Sequence, residues 1–466
     1  EGRTLSAARY GLTSRAIKWV RRNPAAGRVA AAAAVAIVVL TALFVWRLDL
    51  RRREAEAAAR RDGDLLRVRQ LQSESETDLF PPLPGNIARF ETWLARAGEL
   101  VDRTDEHRSS RAGLVRTESE EGLAVSRLDE LVEGLERLQR ATMPDVERRL
   151  SLARQVQREM GEARESWADA IRSIADPAEC PLYGGLRIVP QDGLVPIGRD
   201  PWSGLWEFAH LLSGTIPGRG VSGALQLDPG CAVVLVLVPP GDFTMGASPA
   251  NARDPDSYAR IDESPLRTVE VESFFLGKDE LTQAQWRRLV LEEPSARADP
   301  AAPVERVSWD RAREVLRSVG LRLPGESEWE YGARAQTDTP WWTGEVVLHL
   351  KGSANIADST AYYQTPGADP TLHELWMEDG HAGTSPIGTY LANPFGLRDV
   401  YGNVSEWCED EYAPYDGLSE TPGVYRVYRG GSYADGSQDA RSAARFRAPP
   451  ALRDPRIGVR AARSLE

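Results

Sequence analysis

The stretch Ser385–Asp410, SPIGTYLANPFGLRDVYGNVSEWCED, carries the reading of the fold. It is loop-like and aromatic, and its core, DVYGNVSEW, sets Asp399 and Glu406 in a D-x6-E spacing. Calcium takes six to eight oxygens and mixes carboxylates with backbone carbonyls. Asp399 and Glu406 therefore offer side-chain oxygens to such an ion. Taken bare, the same spacing describes a solvated acidic loop beside an aromatic core segment with Trp407 in it. The segments on either side decide between these readings.

Around that stretch the chain is rich in glycine, proline and tryptophan (40, 31 and 13 of 466 residues), which suits a loop-rich globular part. Composition shifts near Pro181, where strand-like runs begin to alternate with Gly/Pro turns. CAVVLVLVPPGDFTMGA reads as a buried apolar strand, a turn, then Phe243, Met245 and Gly246. TQAQWRRLVLEE and SWDRAREVLRSVG read as two short helices. The pattern predicts an α+β domain with long functional loops. Net charge is -12, which argues against general nucleic-acid binding. Cys180, Cys231 and Cys408 are far apart, so neither a disulfide scaffold nor a CxxC metal site is expected, and a Cys180–Cys231 pairing stays open. The five histidines form no HExxH pattern.

The ordered segments LVLVPPGDFTMGA, FFLGKDELTQAQW, PVERVSWDRA, LRLPGESEWEYGARA, ANIAD, SPIGTYLANPFGLRDVYGNVSEWCED, YRGGSY and IGVRAAR resemble the formylglycine-generating enzyme, or sulfatase-modifying factor, family from about Val233 to Ser464. The resemblance implies a loop-rich variant of the C-type-lectin-like fold with structural calcium. One expected ion takes side-chain oxygens from Asp399 and Glu406 and carbonyls from Gly402 and Val404. A second takes side-chain oxygens from Asn355 and Asp379 and carbonyls from Ile356 and His381. Trp329 and Tyr331 are expected in the core, with Glu326, Glu328 and Glu330 holding loops. Trp341 and Trp342 read as aromatic core more than as a stacking surface.

In the family's oxidases, two cysteines after the RGGS turn bind copper(I). Those positions here are Asp435 and Ala440. Copper(I) needs soft thiolates, so no copper is expected. Iron-dependent relatives use a histidine triad on a helical domain, whereas the helical region here has only His107. What remains is a recessed recognition surface, expected to be lined by Tyr433, Asp435, Ser437, Asp439, Phe446 and Arg447.

Toward the N-terminus, Val29–Trp46 is an uncharged apolar run flanked by Arg15, Lys18, Arg21, Arg22 and Arg28 on one side and Arg47, Arg51, Arg52 and Arg53 on the other. A helix of that length nearly matches the ~30 Å hydrocarbon core, so residues 29–46 are expected to span a membrane. The flanking charges barely separate the two orientations. The opening EGRTLSAARYGLTSRAIKWVRRNPAAGRVAAAAAV resembles the tail of bacterial membrane serine/threonine kinases. That implies an upstream cytoplasmic kinase, a juxtamembrane tail at 1–28, a single pass through the inner membrane and an extracytoplasmic C-terminal domain. The chain has no initial methionine and reads as a fragment or processed product. Residues 47–180 are expected to form a helical stalk or hairpin, broken at FPPLPGN, and residues 181–466 the distal domain. Leu128, Leu131, Leu135 and Leu138 share one helix face, and Thr142–Asp176 reads as one long helix.

Three functions follow. The first is a non-catalytic, calcium-stabilised sensor that binds an extracytoplasmic ligand or protein for a membrane-anchored kinase. The second is a variable protein of a diversity-generating retroelement, a class that uses this fold. Between Arg429 and Ser464 the only Gln, Glu, Lys, Met or Trp is Gln438, which is compatible with diversified codons. The third is an enzyme, for which this stretch holds no nucleophile–base pair.

Overall fold

The computed structural model describes residues 17, 19–114, 122–248, 256–415 and 423–466. The chain mixes helix and sheet and divides into two compact units. One comprises Glu1–Ser73 and Ala95–Met143, the other Glu74–Leu94 and Pro144–Glu466.

The first unit is helical. Helix α1, Pro24–Thr77, runs 54 residues, about 80 Å at ~1.5 Å per residue. It contains the expected span, whose side chains are exposed, and it is long and apolar enough to cross a membrane. Most of the expected juxtamembrane tail, residues 1–16 and 18, lies outside the described residues. After α2 (Ile87–Val101) and α3 (Thr104–Leu114) comes α4 (Gly122–Arg137), continued by a π-helical stretch, Leu138–Thr142. The four leucines predicted to share a face are all buried, as are Leu65, Val68 and Leu71 of α1. A Cβ on Gly134 would come within 2.8 Å of Val68, so glycine permits α1 and α4 to close on each other. In the same unit Asp64 is buried, accepting from Arg103 at 3.0 Å and lying 3.1 Å from His107 Nε2.

The second unit begins with helix, and the expected stalk boundary at residue 180 does not coincide with its edge. The single helix expected over residues 142–176 is two, α5 (Met143–Glu162) and α6 (Arg164–Ile174), parted at Ala163 (φ -83°, ψ 13°). Trp167, Ala170 and Ile174 of α6 enter the same core as the strands. The Trp167 ring lies 5.4 Å from Phe208, and its Nε1 donates to the Leu194 carbonyl at 3.3 Å. Burying that indole draws the helix into the domain.

The strands are β1 (Leu194–Arg199), β2 (Trp206–His210), β3 (Gly218–Arg219), β4 (Leu225–Gln226), β5 (Val234–Val238), β6 (Gly241–Met245), β7 (Arg267–Val271), β8 (Phe274–Gly277), β9 (Ser405–Glu411), β10 (Arg426–Arg429), β11 (Arg445–Ala448), β12 (Ile457–Gly458) and β13 (Ala462–Ser464). One sheet has the order β1-β2-β5-β8-β13 and a second β11-β10-β9-β12. β5, VLVLV, is buried along its whole length, so its apolar residues run unbroken instead of alternating. Both short predicted helices form: α7 (Gln283–Val290), with a Thr282–Gln285 capping box, and α8 (Trp309–Ser318), capped by Ser308. Helix α9 (Glu326–Arg334) and the short α10 (Ser359–Gln364) follow.

Buried arginines lock the loops to this frame. Arg445 forks onto both oxygens of Glu326 (2.8 and 2.7 Å), and Arg441 onto Glu263 (2.9 and 2.7 Å). Arg429 pairs with Glu330, whose other oxygen also takes Arg334 and the Gly246 amide. Glu328 binds Arg322 and the amide of Gly325. The expected loop-holding glutamates thus each have partners, and Trp329 and Tyr331 are in the core. Trp341 is buried and Trp342 packs against the core. All three cysteines are buried and free, so Cys180 and Cys231 do not pair.

Candidate functional site

The DVYGN segment curls because Asp399, Gly402 and Asn403 all adopt left-handed backbone, with φ of 55°, 76° and 55°. Aspartate, asparagine and glycine are the residues that tolerate this region. The curl sets Gly402 against Asn355: a Cβ there would lie 1.9 Å from the Asn355 carbonyl oxygen. That oxygen accepts the Asn403 amide at 2.7 Å, and Asn355 Nδ2 donates to Asn403 Oδ1 at 3.1 Å. The two expected cation sets, remote in sequence, are therefore neighbours.

Within them, Asn355 Oδ1 and Asp399 Oδ1 are buried without a hydrogen-bond partner among the described residues. An unpaired buried oxygen costs free energy that a cation would recover. Asp379 accepts the amides of Ile356 (3.2 Å) and His381 (2.8 Å), which ties together three of the four expected contributors. Burial, then Asp358 beside it, pushes Asp379 up to about 7. Burial and the Asp279 charge push Asp399 up to about 7 as well. Glu406 differs. Both its oxygens are bound by Arg460, and Oε2 also accepts Trp329 Nε1 at 2.6 Å. Each set keeps one unpaired oxygen, Asn355 Oδ1 and Asp399 Oδ1; Asp379 already accepts a backbone amide on each oxygen, and Glu406 is taken by the Arg460 charge. Val404 directs its amide to Glu280 at 3.0 Å. Among the described residues no three His, Cys, Asp or Glu side chains group as metal ligands, so carbonyl and amide oxygens must complete any shell.

Sequence reasoning missed Glu280, Asp358, Asn403 and Arg460 at this site. Glu280 is buried, held by Asn403 Nδ2 at 2.6 Å, and raised well above the usual carboxylate range by burial and then by Asp399 and Glu406. Each lies inside or beside a quoted motif, but no spacing rule marks it.

The expected ligand face divides. Phe446 stacks on Tyr428 with centroids 5.3 Å apart, and the Arg260 guanidinium lies 4.6 Å over its ring. Asp439 pairs with Arg260, and Asp435 lies 4.0 Å from Arg456. Tyr433, half-buried, anchors through its amide to the Asn403 carbonyl at 3.0 Å. Arg447 stands elsewhere, because neighbouring residues on a strand point to opposite faces. Its guanidinium sits over Tyr412 (4.8 Å) and Tyr425 (5.2 Å). Ser437 is buried and tied to Glu374 through its amide (3.1 Å) and hydroxyl. Asp435 accepts the Ser432 hydroxyl at 2.6 Å, and Ala440 is fully buried.

Residues 230–465, half of the chain, match the family described as the sulfatase-modifying factor enzyme 1-like domain. The chain belongs to this family. The formylglycine-generating enzyme of Streptomyces coelicolor is 38% identical over 164 residues, 32% of this chain and 48% of that protein. The chain thus spans about half the length of that relative. The serine/threonine-protein kinase pkn1 of Chlamydia pneumoniae is 27% identical over 271 residues, 50% of this chain and 38% of the kinase. Among solved structures, Treponema denticola variable protein 1 aligns at TM-score 0.38 and 21% identity over 50% of this chain and 96% of its own. PvdO from Pseudomonas aeruginosa aligns at 0.39 and 24% over 50% and 95%. Asp435 and Ala440, the positions that the sequence resemblance assigns to the oxidase cysteines, carry a carboxylate and a methyl group.

Proposed function

We propose that this sulfatase-modifying factor domain is a non-catalytic, calcium-stabilised ligand-binding module with a C-type-lectin-like fold. It acts as the extracytoplasmic sensor of a membrane-anchored, kinase-like receptor. The observation that carries the reading is the pair Asp435 and Ala440 within an intact frame. Asp435 is engaged with Ser432 and Ala440 is buried, so neither supplies the thiolate that copper(I) requires. The orphaned oxygens of Asn355 and Asp399 support structural calcium. Residues 29–46 within α1 would anchor the chain by a single pass, and the similarity to a serine/threonine kinase supports coupling to such a domain. Tyr433, Asp435, Asp439 and Phe446, with Arg260 and Arg456, would form the ligand face.

Titrating the full chain in detergent with calcium and with copper(I), read by melting temperature and bound metal, tests this. A calcium-dependent rise without stoichiometric copper(I) is expected. Tight copper(I) binding with turnover of a cysteine-containing peptide would return the chain to the oxidases. The diversified-surface reading has less room: Arg429, Arg441, Arg445 and Arg460 are buried in ion pairs, which confines variation to exposed positions such as Ala434, Gln438 and Arg447.

A further inference from the structure

The second unit leaves an apolar patch in water on α10 and on the 3-10 turn Pro370–Leu372 that follows it. Tyr363 is 80% exposed and Leu372 63%, and Leu375 and Trp376 are exposed after them. The patch is built, not slack. The Tyr362 ring packs edge-on against Tyr363 (5.2 Å) and against His373 (5.6 Å), which joins the helix to the turn. His373 Nδ1 donates to the Asp369 carbonyl at 2.7 Å, and the Ser359 amide closes the base of the loop on the Met377 carbonyl at 3.1 Å. Glu374 fixes the far edge. Its Oε2 accepts Trp376 Nε1 at 2.7 Å, and its Oε1 accepts the Ser437 amide at 3.1 Å. Holding these apolar side chains in water costs free energy that a partner covering them would recover.

Charge selects the partner. Residues 352–397 contain no lysine or arginine, and their acids, Asp358, Asp369, Glu374, Glu378 and Asp379, form no ion pair with either residue type among the described residues. The core of the domain differs: Glu263, Glu326, Glu330 and Glu406 are each matched by an arginine. The arginines of the neighbouring recognition loops are taken as well, Arg260 by Asp439 and Arg456 by Asp454. Hydrogen bonds from Thr371 hold Asp369 below the usual carboxylate range, so it is charged at neutral pH. The donors to Glu374 are neutral and leave its charge uncompensated. A guanidinium suits both halves of such a surface, because its flat face stacks on tyrosine or tryptophan while its N–H fork meets a carboxylate. Leu372 and Leu375 call for apolar groups beside the cations, which a peptide supplies and a free polyamine lacks. We propose that the Tyr363–Trp376 face docks an arginine-bearing, apolar segment of a partner protein. This docking needs neither calcium nor the anchoring helix, and it adds a second surface to the ligand face, which it adjoins through Ser437.

The test titrates the full chain, held in zwitterionic nanodiscs, with a fluorescein-labelled octapeptide that alternates leucine with arginine. Anisotropy reports binding, and empty nanodiscs give the blank. Saturable binding that weakens with salt is expected. Tyr363→Ser should weaken it about tenfold, the scale of an aromatic anchor, while Tyr363→Phe should retain most of it. Glu378→Gln should weaken it about two- to fivefold, as for an exposed ion pair, with the melting temperature unchanged. Glu165→Gln, at an exposed acid on α6, should leave the affinity as it was. Absence of saturable binding would overturn the proposal, as would binding on which Tyr363→Ser has no more effect than Glu165→Gln. Equal affinity for the same peptide with glutamate in place of arginine would show apolar contact alone and overturn it. Spermine that binds as tightly as the peptide would do the same. Self-association abolished by Tyr363→Ser, with no peptide bound, would mean that a second copy covers the face, and would also overturn it.

Discussion

Arg460 and Glu406 form a buried, bidentate ion pair, with Nη2 to Oε1 at 2.7 Å and Nε to Oε2 at 2.9 Å. The same guanidinium donates to the carbonyls of Gly277 (2.9 Å), Arg398 (2.8 Å) and Asp399 (3.1 Å), so one side chain braces the end of β8 and the DVYGN curl. Removing one partner of such a pair leaves an uncompensated buried charge, which costs about 3–5 kcal/mol. Arg460→Met should therefore lower unfolding stability by that amount, read by chemical denaturation followed by tryptophan fluorescence. A loss under about 1 kcal/mol, typical of exposed pairs, would show the pair to be dispensable.

Gly402 and Gly352 separate two effects of a side chain at left-handed backbone. Both have positive φ, 76° and 80°, but a Cβ at Gly352 meets open space whereas one at Gly402 meets the Asn355 carbonyl. Gly352→Ala should cost about 1–2 kcal/mol of backbone strain. Gly402→Ala should cost clearly more and should weaken calcium-dependent stabilisation as well. Equal melting temperatures for the two variants would refute the close approach.

Asn355→Ala removes an orphaned oxygen together with the donor to Asn403. If calcium sits at this set, the melting-temperature rise on adding calcium should shrink severalfold in the variant, while Glu406→Gln should change the calcium-free stability more than the calcium response. The reverse ranking would move the ion to the Asp399 set.

His210 gives a pH dependence whose sign is fixed. Its Nε2 lies 3.0 Å from the Val319 carbonyl, and burial lowers its pKa to about 4 from the usual 6.5. Above about pH 6.5 the imidazole is neutral in folded and unfolded chain alike, and its contribution is fully present. As pH falls from there toward 4 the unfolded state binds a proton that the folded state refuses, so stability declines, by roughly 3 kcal/mol in all. His210→Gln should flatten the stability curve between pH 6.5 and 4. An unchanged slope would assign acid sensitivity to other groups.

Motif order made the distal domain legible, along with both short helices and the Asn355 and Asp399 loops, because turn chemistry and buried aromatics leave local marks. Partners across the fold left none. Glu406 shows two carboxylate oxygens in the sequence, and only the pairing of β12 beside β9 reveals that Arg460 binds both. Phe446 and Arg447 look like neighbours on one face until β11 is known to be a strand, whose period of two parts them. Trp167 and Ile174 repeat with the same helical spacing as a free-standing stalk. Only the sheet beneath them distinguishes a solvent-facing bundle from the lid of a core.

The buried arginines carry a consequence for biosynthesis. Their carboxylates at Glu263, Glu326 and Glu330 emerge from the ribosome well before Arg441, Arg445 and Arg429, which follow 178, 119 and 99 residues later. Until those residues are made, Glu263 and Glu326 lack the arginines that fork onto them in the core, and Glu330 has only Arg334. The ion pairs that lock the frame therefore form only once the C-terminal stretch has been made.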